Sequence, residues 1–282
     1  MKIINILIAG IIAIGLYSCD VVDPPYLQSS NGGGGDTSKA VQKVLIEDFT
    51  GMKCGNCPEA ADLAHEIADI YEGRVIVLGI HTGWYAKPNA DFPVDLRCPA
   101  ANEIDEFFKI TAAGNPNGMI NRIEKSGSRV IQPSGWAAST AELLQGEPGM
   151  TIHIDSAYVN AQNEIRISAR IKYLKSGAAN HQFCIYIAED SIIAPQQDDR
   201  LPEPIDEDYV HNHVLRGSIN GTWGEPLSSM AISAGQEFTK TYTYAIPESV
   251  NWDPRHLRLV AFVHDYGETF RILQAEEVHV NY

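Results

Sequence analysis

An α/β segment followed by an all-β segment is the fold class this sequence predicts, and three observations carry it. First, a pair of cysteines, Cys54-Gly55-Asn56-Cys57, lies between an apolar run and a helical pattern. Second, another apolar run follows that helix, so residues 43 to 80 read strand–helix–strand, the βαβ arrangement. Third, seven short strand candidates follow residue 148, separated by Gly, Asn, Ser and Pro.

The chain opens with a targeting pattern. Met1-Lys2 gives a positive start, and Ile3 to Leu16 is an apolar run too short for an ordinary spanning helix. It ends in Leu16-Tyr17-Ser18-Cys19, which resembles a bacterial lipobox, with Tyr17 bulkier than the usual residue there. The resemblance implies removal of residues 1–18 and acylation of Cys19, a durable anchor without a transmembrane helix. The alternative is an ordinary cleaved secretory signal. Both routes deliver the chain to a compartment where disulfides persist. Residues 19–40, with Pro24-Pro25 and Gly32-Gly33-Gly34-Gly35, cannot bury a core and read as a flexible tether. About twenty such residues reach roughly 25 Å.

About 240 residues remain, enough for two domains. The full chain carries a net charge of −15 and has no Lys/Arg run, which disfavours nucleic acid and anionic headgroups as partners. The five cysteines are sparse, so this is not a disulfide-stapled miniature scaffold.

In the first domain, residues 41–147, Lys43 to Phe49 reads as a buried strand. Leu63, Ile67, Ile70 and Tyr71 then recur at helical spacing, and Pro58 suits the first helical turn. Arg74 to Ile80 is a second strand, His81 to Leu96 a long loop carrying Trp84-Tyr85, and Ala100 to Ile110 a helix packed through Ile104, Phe107 and Phe108. Pro116 marks a strand entrance and is a candidate cis peptide. Arg129 to Ile131 reads as an edge strand, and Ser134 to Leu144 as the closing helix.

In the second domain, residues 148–282, Ile165, Ile167, Ala169, Ile171 and Tyr173 alternate with polar residues, the mark of a strand with one buried face. Met150–Tyr158, Gln182–Ala188, Tyr209–Leu215, Glu237–Tyr244, Leu257–His264 and Ile272–Val280 complete an antiparallel β-sandwich of immunoglobulin-like type, without the cysteine bridge of antibody domains.

The chemistry concentrates at Cys54 and Cys57. Two thiols at a strand–helix junction suit thiol–disulfide exchange, because the helix N-terminus stabilises a thiolate and the second sulfur resolves a mixed disulfide. A permanent disulfide or half of a metal site is the competing reading. No second CxxC or clustered His motif supplies a four-ligand metal set, so no metal is assigned. Lys53 places a cation beside Cys54, which favours its thiolate. His81 ends the second strand, as either a site residue or an ordinary strand-end histidine. His211 and His213, two apart on one strand face and joined by His264-Asp265, read as a metal pair or as a buried polar network. Asp198-Asp199 and Asp206-Glu207-Asp208 read as calcium ligands or as a solvated acidic loop. Cys98 and Cys184 are either an interdomain bridge or two separate buried thiols.

The order strand, CxxC helix, strand, helix, proline-led strand, hairpin strand and helix resembles the thioredoxin fold. That resemblance implies a dithiol beside cis-Pro116, with the backbone of Asn115 pairing with substrate. It also implies that Asp48, six residues before Cys54, assists proton transfer at Cys57. The sequence departs from thioredoxins at Lys53, where they carry Trp, and at Asn56, where they carry Pro. A narrower resemblance covers nearly the whole chain. Glu47-Asp48-Phe49-Thr50-Gly51, Cys54 to Pro58, Pro116 to Arg122 and His211 to Arg216 are similar to the outer membrane protein 28 family. That implies a lipid-anchored envelope protein, at the outer membrane, with a thioredoxin-like domain before a β-sandwich. The function expected is thiol–disulfide exchange with a protein thiol or disulfide partner and no external cofactor. The alternative is a non-catalytic surface-binding or adhesion lipoprotein whose CxxC disulfide is structural.

Overall fold

Runs that are apolar on both faces become inner strands. The computed structural model describes residues 40–282, so the leader, the tether and Cys19 lie outside the described residues. β1 (Val44–Thr50) and β2 (Val75–His81) are buried at every position and pair in parallel, from Val44 opposite Val75 to Thr50 opposite His81. α1 (Cys57–Ile70) crosses between them and packs Ala60, Ala64 and Ile67 on Val44, Ile46, Val75 and Val77. α2 (Gly83–Ala86) is a single turn, and α3 (Pro99–Phe108) sets Ala101 and Ile104 against the opposite face, with Leu45, Phe49, Ile76 and Leu78.

α3 is shorter than its pattern suggested. It stops at Phe108, where Lys109 turns left-handed at φ 58°, and Phe107 stays 52 % exposed rather than packing inward. β3 (Asn117–Ile120) runs antiparallel to β1, and α4 (Trp136–Leu144) joins α1 on its face. The expected edge strand at 129–131 reduces to one bridge, Ile131 to Gly118.

Alternation makes the strands of the C-terminal half. β4 (Met150–Val159) and β5 (Glu164–Tyr173) each bury every second residue along most of their length, as one-sided packing requires. They are followed by β6 (His181–Glu189), β7 (Ile192–Ile193), β8 (Gln196–Gln197), β9 (Ile205–Asp206), β10 (Val210–His211), β11 (Val214–Ser218), β12 (Glu225–Pro226), β13 (Glu237–Ala245), β14 (Leu257–Asp265) and β15 (Ile272–His279). β13–β5–β4 form a three-stranded sheet that shares its core with Phe183, Ile185, Leu259, Ala261 and Val263 of β6 and β14.

The largest sheet runs β15-β14-β6-β11-β2-β1-β3, with β12 beside β6. Its join is β11 on β2, where Gly79 N–H donates to the His213 carbonyl at 2.8 Å. Strands from both halves therefore share one sheet, and one core combines Leu45, Leu78 and Ile104 with Tyr186, Leu215 and Phe262. The class is mixed α/β with strands dominant. The strand expected at Tyr209–Leu215 is broken in two, because His213 adopts φ 56° between β10 and β11. Among the described residues, no helix is long and apolar enough to cross a membrane.

Candidate functional site

Successive strand residues point to opposite faces, and this separates the adjacent acids of β1. Glu47 shares the α3 face with Leu45 and Phe49, where it meets Arg122. Nε of Arg122 donates to Glu47 Oε2 at 2.9 Å and Nη2 to Oε1 at 2.6 Å, with both side chains fully buried. Asp48 shares the α1 face with Val44 and Ile46. It lies opposite Gly79 on one side and Gly118 on the other, neighbours without side chains to partner it. Asp48 is buried, its Oδ1 has no hydrogen-bond partner among the described residues, and desolvation raises its pKa from 3.8 to about 7.

The chain leaves β1 through Gly51, where a Cβ would lie 2.5 Å from Ala86 N, so only glycine fits. Cys54 N–H then closes a turn on the Gly51 carbonyl, Cys57 N–H closes a second on the Cys54 carbonyl, and α1 begins. Cys54 and Cys57 form a disulfide. The N-cap residue Asn56 makes no side-chain cap, which leaves the helix N-terminus, with its partial positive charge, beside the sulfurs. Phe49 pairs with Asn117, so the cis Asn115–Pro116 bond lies at the same end of the sheet as the cysteines. The Asn115 side-chain amide is buried there without a partner. The ammonium of Lys53 sits 4.3 Å from the ring centroid of Trp84, itself 70 % exposed.

Behind Cys57 a cavity of about 40 Å³ is lined by Asp48, Thr50, Cys57, His65, His81, Gln196, Tyr209 and His211. His81 therefore lines the cavity behind Cys57. Its place in β2, two residues past Gly79, puts it on the same face as Asp48. Its ring centroid lies 5.4 Å from that of His211, and its Nδ1 has no hydrogen-bond partner among the described residues. Burial depresses both histidines, His211 to about 4 and His81 well below its ordinary value, so both are neutral at pH 7.

Outside the cavity, His213 packs its ring 5.0 Å from that of the cavity residue His65 and lies 3.4 Å from Asp190, whereas a nitrogen of His264 lies 2.9 Å from the Trp223 carbonyl. The expectation that His211 and His213 share one strand face fails because the left-handed His213 ends the strand. Among the described residues, no three His, Cys, Asp or Glu side chains are arranged to hold a metal ion. Cys98 and Cys184 are separate buried thiols; the Cys98 sulfur accepts from Ala101 N–H at the start of α3.

Sequence reasoning missed the segment that covers the disulfide. Gln197 N–H donates to the Met52 carbonyl at 2.8 Å and Asp199 N–H to the Gly55 carbonyl at 2.9 Å. Nε2 of Gln196 donates to the Cys54 carbonyl at 3.1 Å. Cys54 and Cys57 are left 3 % and 1 % exposed. The acidic residues here are not all solvated, since Asp198 is buried and held by Arg200, which also reaches Asp62 at 2.7 Å. No spacing rule links residues 196–200 to residues 52–62. Only the density of Gln and Asp hydrogen-bonding groups in an otherwise loop-like stretch hinted at a docked segment.

Residues 102–282 match the family described as Outer membrane protein Omp28. The chain belongs to the Omp28 family. That membership places the chain at the outer membrane, the location that the resemblance of its motifs implied. Among solved structures, HBP35 of Porphyromonas gingivalis superposes with a TM-score of 0.65 at 16% identity, covering 85% of this chain and 76% of that one. An Agrobacterium tumefaciens protein gives a TM-score of 0.52 at 12% identity, covering 86% and 96%. A domain of the outer membrane lipoprotein Omp28 from Porphyromonas gingivalis is 22% identical over 48% of this chain and 91% of that domain, with a TM-score of 0.31. At these identities the first two likenesses speak for the fold of this Omp28-family chain alone. A comparison with curated proteins finds no match.

Proposed function

We propose that this chain is a lipid-anchored outer-membrane protein performing thiol–disulfide exchange at Cys54 and Cys57. In this reading residues 1–18 are removed, Cys19 is acylated, and residues 19–40 tether a thioredoxin-like unit of residues 41–147. An immunoglobulin-like sandwich of residues 148–282 follows. The observation that carries the proposal is Asp48. A carboxyl buried without a partner is costly, and a purely structural disulfide has no use for one beside its second sulfur.

The chemistry balances on the cysteine pair and a substrate disulfide. In the reduced form the Cys54 thiolate attacks one substrate sulfur, and the other substrate sulfur leaves as a thiolate. Cys57 passes its proton to Asp48 and attacks Cys54 Sγ, which releases the second substrate thiolate and closes the protein disulfide. Two electrons move from the cysteine pair to the substrate, and the reverse sequence oxidises a dithiol. Lys53 and Asn115-Pro116 flank the cysteine turn, where a substrate strand would lie.

The cover over the sulfurs favours a second reading, a surface-binding lipoprotein whose disulfide is a staple. Turnover of a disulfide-bonded protein substrate by the full chain in detergent, with excess reductant, separates the two. Exchange requires turnover that Cys54→Ser abolishes and Asp48→Asn slows. Turnover that is absent, or indifferent to Cys54→Ser, leaves the staple reading.

A further inference from the structure

We propose that Ser191–His213 is a hinged cover, held closed by backbone contacts that a substrate peptide takes over when the cover opens. The inference rests on the exchange reading above.

The way the cover is seated supports this. Gln197 and Asp199 donate backbone N–H groups to the carbonyls of Met52 and Gly55, so main-chain contacts that any peptide could make seat the segment on the cysteine turn. The Asp199 carboxylate occupies the space a Gly55 side chain would fill, with its Oδ1 2.0 Å from the ideal Cβ position. The segment thus lies where a partner of the Cys54 turn would have to lie. It is this chain's own stand-in for a hydrogen-bonding peptide.

The cover is also built to detach. From Ala194 to Asp208 its buried residues are Ala194, Gln196 and Asp198, so little apolar surface holds this stretch down, while Tyr209 and His211 stay packed at the cavity beside the second hinge. Its remaining seat is polar, namely the Gln196 amide on the Cys54 carbonyl and the Arg200–Asp62 pair. Polar contacts are exchanged for water at small net cost, and segments with few buried apolar contacts open locally.

The ends, by contrast, are fixed. Ile192 packs with Met52, Phe92, Leu96 and Val214. Both ends carry a left-handed residue, Ser191 at φ 60° and His213 at φ 56°. Ser191 N–H donates to Asn212 Oδ1 at 2.9 Å, and His213 N–H to Asp190 Oδ1 at 2.8 Å. Two pinned ends around a loosely seated middle form a hinge pair.

The test uses the full chain in detergent. The rate of Cys54–Cys57 reduction by a phosphine reductant is read by trapping the thiols, for wild type, Arg200→Ala and Gln196→Ala. Arg200 is surface-exposed, so its replacement leaves folding intact and should speed reduction about two- to fivefold. Gln196→Ala should speed it about tenfold. Hydrogen exchange on the wild type provides a readout free of mutation, in which the Gln197 and Asp199 amides should exchange far faster than those of β1. Equal reduction rates in all three proteins, or cover amides as protected as those of β1, would overturn the hinge. Faster reduction in the variants without substrate turnover in any of them keeps the cover and removes the exchange function.

Discussion

Replacing Asp48 by Asn tests the charge logic of the site in one measurement. In the unfolded chain this carboxyl ionises near 3.8, whereas in the fold it keeps its proton up to about 7. Between those values the native state holds more protons, so the carboxyl's contribution is complete below about pH 4 and lost as pH rises through 7. At 1.36 kcal/mol per pKa unit, the cost of burying Asp48 is about 1.6 kcal/mol at pH 5 and about 4 kcal/mol at pH 8. Asn cannot ionise and escapes this pH-dependent cost; burying its amide adds a constant offset at every pH. The stability gain of Asp48→Asn over wild type should therefore grow by about 2.5 kcal/mol from pH 5 to pH 8.

The wild-type profile alone would mislead, because His81 and His211 run the other way. They are neutral in the fold and protonate near 6.5 when unfolded, so their contribution falls as pH drops from 6.5 towards 4. Both proteins share this trend and it cancels in the difference. Urea unfolding followed by tryptophan fluorescence at pH 5 and pH 8, with equal m-values, supplies the numbers. A difference that is flat with pH, or smaller at pH 8, refutes the claim that Asp48 is an unpaired buried acid.

Other expected outcomes concern packing and access. Arg122→Met should cost about 3–5 kcal/mol in urea unfolding by leaving Glu47 charged and buried, and adding Glu47→Gln should restore much of it. Phe262→Ala should cost about 3–5 kcal/mol, since the ring is fully buried where strands of both halves share a core. Cys98 and Cys184 should resist thiol reagents in the native protein and react after unfolding, because burial shields both and raises both thiol pKa values. Trp84→Ala should change stability by less than about 1 kcal/mol while removing an exposed fluorophore, since its largely exposed ring contacts Lys53 and, edge-on, its neighbour Tyr85.

Local rules made much of the molecule legible. The apolar runs Val44-Leu45-Ile46 and Val75 to Leu78 became inner parallel strands, and Pro58 after Cys57 opened the helix that carries the second sulfur. The alternation from Ile165 to Tyr173 gave a strand with one buried face. Alternation also contained a signal that was not used. Asp48 and Gly79 are register partners, which puts His81, two residues on, over the same face and beside Cys57. Conversely, Phe107 fitted a helical pattern yet lies largely exposed, because the helix ends one residue later.

The role of Asp48 came only from the thioredoxin resemblance, but by itself the sequence determined the cysteine pair and its helix, much of the strand content of each half and an apolar leader pattern. These follow from periodicity, caps and short spacings, which act over a few residues and can be read along the chain. Only the tertiary structure decided that β11 would join β2 and merge both halves into one sheet, and that His211 would meet His81. It also decided that residues 196–200 would lie over the disulfide. Those contacts link positions more than a hundred residues apart, and the sheet join and the cover do so through backbone amides that every residue except proline carries. No side-chain pattern announces such a pairing, and the same backbone hydrogen bonds decide whether the cysteines are open to a partner.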